Sequence, residues 1–149
     1  MSNDISNNKT KINIKRLIIG GLVAGCVLNA ISLLSTGFYV SEMMELLDSR
    51  GIHPPRSIWS LVVYLLMRFI WGFAVVWFYV ATRPRFGPGP KTAVLIGLVF
   101  WLCTFFLMVV SYGMLGLFPK GMLILWASMT LLAILPATFV GAWIYREEE

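Results

Sequence analysis

The sequence predicts an all-α integral membrane protein, a four-helix bundle of antiparallel spans with both termini in the cytoplasm. Three observations carry that expectation. The chain of 149 residues is 58% hydrophobic and only 13% charged, with a mean hydropathy of +0.80, which is more apolar surface than a soluble domain of this size can cover. Four apolar segments, 17–40, 58–80, 93–115 and 122–145, approach or exceed the roughly 20 residues that a helix needs to cross about 30 Å of hydrocarbon. Basic residues are shared unevenly between the connections, and that asymmetry orients a membrane protein.

Taken in order, residues 1–16 are polar and rich in Ser, Asn and Lys, a composition that reads as a disordered tail. The basic stretch followed by an apolar run could be a signal peptide, but the run 17–40 is too long and lacks a small-residue cleavage site, so it reads as a retained first span. Gly21, Gly25 and Asn29 recur every four residues along it and continue through Ser32 and Thr36. This is the small-xxx-small spacing that lets helix backbones approach closely.

In the first loop, SEMMELLDSRGIHPPRS, Met and Leu alternate with Glu and Asp at helical spacing until Gly51 and Pro54-Pro55 stop the pattern. The segment either continues the first span or bends at Gly37 and lies along the interface. The second span, SLVVYLLMRFIWGFAVVWFYV, holds Arg68. The second connection, ATRPRFGPGPKTA, places the basic residues Arg83, Arg85 and Lys91 among three prolines, which predict a stiff turn with no continuous helix. In the fourth span Ala133, Ala137 and Gly141 form a second ridge of small residues, interrupted by Pro136. These ridges pack spans together or pack two copies of the chain.

Lys9, Lys11, Lys15, Arg16, Arg83, Arg85, Lys91 and Arg146 fall on one side of this threading, against Arg50, Arg56 and Lys120 on the other. The first side is therefore cytoplasmic. Trp77, Tyr79, Trp143 and Tyr145 would mark the cytoplasmic interface and Tyr39, Trp59 and Tyr112 the opposite one. The pattern Phe73-x-x-x-Trp77-x-Tyr79 recurs as Phe139-x-x-x-Trp143-x-Tyr145, which either echoes a parallel duplication or reflects separate selection for interfacial aromatics.

Arg68 is the residue that most needs a reason. It lies about eleven residues into its span, close to the bilayer centre at the helical rise of about 1.5 Å per residue, where a cation costs from about 2.5 to about 17 kcal/mol depending on the reference. No Asp or Glu occurs within the four spans. Asn29, central in the first span, is the expected acceptor, with Ser32, Ser111, Ser128 and Thr130 as additional polar groups and Trp71 as a cation–π partner. Three roles stay open for this polar site: an internal structural anchor, a contact with a partner protein, lipid phosphate or pigment-like cofactor, and a site for a bound or transported anion.

The remaining chemistry is sparse. Without an intramembrane carboxylate, proton-coupled cation export of the usual kind is not expected. His53 is the only histidine and sits in a loop, so neither haem ligation nor a metal site is expected within the spans. Cys26 and Cys103 both fall inside spans and suggest no disulfide framework. No nucleophile stands beside a recognisable base, so neither enzymatic activity nor a cofactor is expected, and nucleic acid is not a partner.

The segments RLIIGGLVAGCVLN, VWFYVATRPRFGPGPKTA and GAWIYRE together resemble small four-span bacterial membrane proteins to which no activity is attached, over most of the chain from Arg16 to Glu147. That resemblance implies a multi-pass protein of the bacterial inner membrane and carries no site residue. Small fluoride channels are similar in using four short spans, close-packed glycines and intramembrane polar residues, but AGCVLNAIS matches their asparagine-containing segment only at Asn29. The leading expectation is a non-catalytic structural or accessory component, in contact with membrane lipids and working as a homo-oligomer or within a larger membrane complex. The alternative is a homo-oligomeric channel or transporter for an anion or small solute, selected by Arg68.

Overall fold

The computed structural model describes residues 12–145. The segment up to Lys11 and the segment from Arg146 onward lie outside the described residues. Most of the expected disordered tail falls there, together with Lys9, Lys11 and Arg146. The described chain is all-helical. It comprises α1 (Ile14–Thr36), α2 (Val40–Ser49), α3 (Ile58–Phe86), α4 (Pro90–Trp101), a π-helical turn (Leu102–Phe106), α5 (Leu107–Met114) and α6 (Lys120–Ile144). Four helices are long and apolar enough to cross a membrane, with α4, the π turn and α5 forming one of them, Pro90–Met114.

Local chemistry sets the helix ends. Asn13 caps α1, its Oδ1 accepting from Arg16 N at 2.9 Å, so helix already includes 14–16, which the sequence assigns to the tail. The first span stops at Thr36, short of residue 40, because the chain turns through Gly37 to Tyr39 before α2 begins. Of the two geometries open for this loop, the chain takes the bend. No residue of α2 is buried.

The second connection departs from the expected stiff turn. Helix α3 runs through Pro84 to Phe86, since a proline in the last turn removes a single backbone hydrogen bond. Pro90 sits at the start of α4, where its missing N–H would have had no partner anyway. Only Gly87 to Gly89 separate the two helices, with Gly87 and Gly89 at φ of +79° and +134°, backbone that glycine adopts readily.

Helices α1 and α3 pack backbone to backbone. A Cβ added at Gly21 would meet Phe73 Cα at 3.0 Å, and one at Gly25 would meet Phe69 Cα at 2.9 Å. From the other side, a Cβ on Gly72 would meet Gly25 Cα at 2.7 Å and Ala24 C at 3.0 Å. Helix α6 joins in the same way, since a Cβ on Gly20 would reach Gly141 O at 2.9 Å. Gly97 gives α4 its approach to Leu135 and Thr138 of α6. Gly21 and Gly25 therefore serve contacts within one chain, and so does Gly141 of the second ridge; Ala133 and Ala137 of that ridge are buried in the core.

The packing is uneven along the bundle. Every buried residue of α3 lies at or after Gly72, and Val75, Val76, Ile134 and Ala137 are completely inaccessible. Tyr79 and Tyr145 are each only 3% exposed, so these two belong to the core and are not the interfacial anchors expected of them. Trp77 and Trp143, their neighbours in the recurring pattern, are exposed. Towards the α2 end the first four turns of α3 bury nothing, and α5 packs on the π turn and α6 without close packing on α3.

Candidate functional site

The divergence of α3 from α5 leaves a cavity of about 290 Å³ in the α2 half of the bundle. All four membrane-length helices contribute to it. Helix α1 supplies Ser32 and Ser35, α3 supplies Tyr64, Met67, Arg68 and Trp71, the third span supplies Phe105, Met108 and Tyr112, and α6 supplies Trp126 and Thr130. Tyr39, in the turn before α2, also lines the wall.

Aromatic contacts shape the walls. Tyr112 stacks on Trp126 with ring centroids 5.9 Å apart and an interplanar angle of 17°, and Tyr39 approaches the same indole at 6.2 Å. Trp71 meets Phe105 edge-on at 4.5 Å. Phe105 belongs to the π turn, and a widened turn of this kind re-aims side chains relative to a regular helix and is frequent at functional sites. Trp101, one residue before that turn, donates its indole N–H to Ala127 O at 3.2 Å and Thr130 Oγ1 at 3.1 Å, fastening the third span to α6 beside the cavity.

Arg68 is partly buried and lines this cavity. Its one hydrogen bond among the described residues is long, from Nη1 to Tyr64 O one turn earlier at 3.4 Å. Asp48 is the only acid in an ion pair among the described residues, and its partners are Arg56 and His53 outside the spans. A guanidinium carries five donors in a planar fork, so most of the hydrogen-bonding capacity of Arg68 is unspent.

Two expected partners of Arg68 act elsewhere. Asn29 is buried, but its amide donates to Gly25 O at 2.9 Å and Leu65 O at 3.4 Å, and its Oδ1 accepts no hydrogen bond. The expected Arg68–Asn29 hydrogen bond does not form because the amide is turned into the α1–α3 contact, where it ties the two backbones together. Trp71 shares the cavity with Arg68, yet its ring is committed to Phe105. The cation–π contact recorded among the described residues is instead Arg83 over Tyr145, at 5.6 Å.

The other polar candidates divide. Ser32 and Thr130 line the cavity with Arg68, whereas Ser111 and Ser128 are exposed and donate to their own helices. Arg85 and Lys91 are exposed at the other end of the bundle. Arg50, which the sequence counts only as a loop charge, donates to Gly116 O at 3.1 Å and Leu117 O at 2.7 Å. It ties the first loop to the connection that follows the third span, at the cavity end of the bundle.

Sequence reasoning misses Tyr39, Tyr64, Tyr112 and Trp126 as site residues. Aromatics near span ends read as interfacial belts, and only the tertiary arrangement shows that these four line one cavity with Arg68. Among the described residues there is no cluster of His, Cys, Asp and Glu that could hold a metal ion, and Cys26 and Cys103 are free and exposed. No family model, curated protein or solved structure matches this chain.

Proposed function

We propose that this chain is a non-catalytic multi-span protein of the cell membrane, the bacterial inner membrane, that acts as an accessory component by holding an anion at Arg68. The observation that carries this reading is a cation lining an intramembrane cavity with no acid in any of the four spans. A mid-bilayer arginine without a counter-charge is costly, and a bound anion would offset that cost. Binding is favoured over conduction by the Trp71–Phe105 contact and by the completely buried Val75, Val76 and Ile134. These residues fill the bundle beyond the cavity.

Thermal unfolding of the purified protein should rise in midpoint with at least one member of an anion panel running from chloride and inorganic phosphate to dodecanoate, because a ligand that binds only the folded state stabilises it. Arg68→Gln should remove that rise. Liposomes carrying the wild-type protein should show no anion flux above empty vesicles. A shift that persists in Arg68→Gln, or no shift with any anion, overturns the binding reading, and a robust flux that Arg68→Gln abolishes replaces it with the permease.

The threading belongs to the same proposal. Gly21 meets Phe73, Gly25 meets Phe69 and Asn29 meets Leu65, so contacts that ascend α1 descend α3, as antiparallel spans require. With the positive-inside rule this supports cytoplasmic termini. Fluorescent-protein fusions should shine after residue 87, and alkaline-phosphatase fusions should be active after residues 50 and 119. Cytoplasmic signal from the residue 50 fusion would reverse the orientation.

A further inference from the structure

We propose that the ligand of the Arg68 cavity is a membrane-partitioned amphipath, a carboxylate or phosphate head on an apolar chain, that enters sideways from the bilayer between α3 and α5; this rests on the anion-binding reading above. The lining separates into two kinds of surface. Arg68 supplies the charge, with Ser32 and the tyrosines Tyr39, Tyr64 and Tyr112 as hydroxyl-bearing neighbours, while Trp71, Phe105, Met67 and Met108 make an apolar wall. A small inorganic anion would exchange its hydration shell for a largely apolar wall that solvates it poorly. An apolar chain gains from the same surfaces, and the flexible thioethers of Met67 and Met108 adapt to its shape.

The mouth of the cavity points to hydrocarbon. Tyr64 and Met67, which line the cavity, are themselves 61% and 42% exposed, on the side where α3 is not closely packed against α5. These residues lie in the interior of a membrane-length helix. A ligand arriving here comes from the lipid phase. The volume of about 290 Å³ is at the lower edge of the roughly 300–1,000 Å³ typical of small-molecule pockets. It suits the head and first part of a chain, with the remainder continuing out through the gap into the bilayer. The packed residues beyond Trp71 and Phe105 block passage towards the opposite end of the bundle.

Native mass spectrometry of the full-length protein in a neutral detergent tests this. Dodecanoate, below its micellar concentration, should bind saturably at one molecule per chain, about tenfold or more tighter than dodecanol, since a charge-assisted hydrogen bond separates the two. Arg68→Gln should abolish the preference, with helix content by circular dichroism confirming the fold. Met108→Trp, which leaves Arg68 in place and fills the apolar wall, should weaken dodecanoate about tenfold or more while sparing any inorganic phosphate binding. Phosphatidic acid and phosphatidylcholine form the second arm. Arg68-dependent preference for phosphatidic acid over dodecanoate identifies a lipid phosphate as the source, and the reverse identifies a free fatty carboxylate. Arg68-dependent binding of inorganic phosphate or chloride without saturable dodecanoate or phosphatidic acid binding overturns the amphipath and leaves the anion site standing. Absence of any Arg68-dependent anion overturns both.

Discussion

Gly72→Ala should cost about 3 kcal/mol or more of stability, the largest penalty of any single added methyl group in the chain. The new Cβ would lie 2.7 Å from Gly25 Cα and 3.0 Å from Ala24 C, and it would meet Gly25 N as well. All three are backbone atoms, so no side chain can rotate away and α1 must separate from α3. That separation loosens the contacts of Gly21 with Phe73 and of Gly25 with Phe69 at the same time. Gly141→Ala makes an informative comparison. Its added carbon would press on Val76 Cγ2, a stiff β-branched side chain that is completely buried, and lie 3.2 Å from Gly20 O, so a cost of about 2 kcal/mol is expected. At Gly121 nothing lies within 4 Å, and alanine there should be neutral. Unfolding of the three variants in one mixed-micelle system checks the order, and a Gly72→Ala protein as stable as Gly121→Ala would show that the two backbones do not touch.

Arg68→Leu should stabilise the protein by about 1–3 kcal/mol, an unusual sign for a substitution inside a bundle. It removes a cation whose one hydrogen bond is 3.4 Å long and which has no ion pair among the described residues. The gain in stability and the loss of anion binding should appear together in one variant, as expected when a site is kept for its ligand at the expense of the fold. Asn29→Leu should do the opposite and cost about 1–3 kcal/mol. It deletes the hydrogen bond to Leu65 O and places a branched side chain in the narrow α1–α3 contact. Because each polar side chain bonds to backbone and neither bonds to the other, the double variant should match the sum of the singles within about 0.5 kcal/mol. A larger discrepancy in a four-variant unfolding cycle would mean that the guanidinium and the amide are directly coupled.

The spans and their central cation are legible in the sequence because both are departures from what water or lipid tolerates: long apolar runs on one side, a lone Arg68 on the other. The close approach of α1 is half legible. Gly21 and Gly25 announce themselves by spacing, but their counterpart Gly72 stands alone among Trp71, Phe73 and other bulky residues, so no motif marks it. The burial of Tyr79 and Tyr145 is hidden for a related reason. In a bilayer the lipid-facing and core-facing sides of a helix are similarly apolar, so the periodic signal that separates inside from outside in a soluble protein is weak. The cavity is less legible still, since Tyr39, Tyr64, Tyr112 and Trp126 come from separated parts of the chain and acquire a common purpose only on packing. The π turn at Leu102–Phe106 has no composition of its own, containing neither Pro nor Gly, and nothing in LCTFF distinguishes it from regular helix.

The contrast between the tightly filled end beyond Gly72 and the hollow end around Arg68 gives the molecule an uneven compressibility. Close-packed protein interiors yield little to pressure, whereas internal free volume is where pressure acts. Stress applied through a surrounding bilayer would therefore be expected to act chiefly at the hollow end, between α3 and α5, while the glycine contacts of the other end hold their shape. A guest in the cavity would act as a spacer against that collapse, and the proposed site would then couple its occupancy to the state of the membrane.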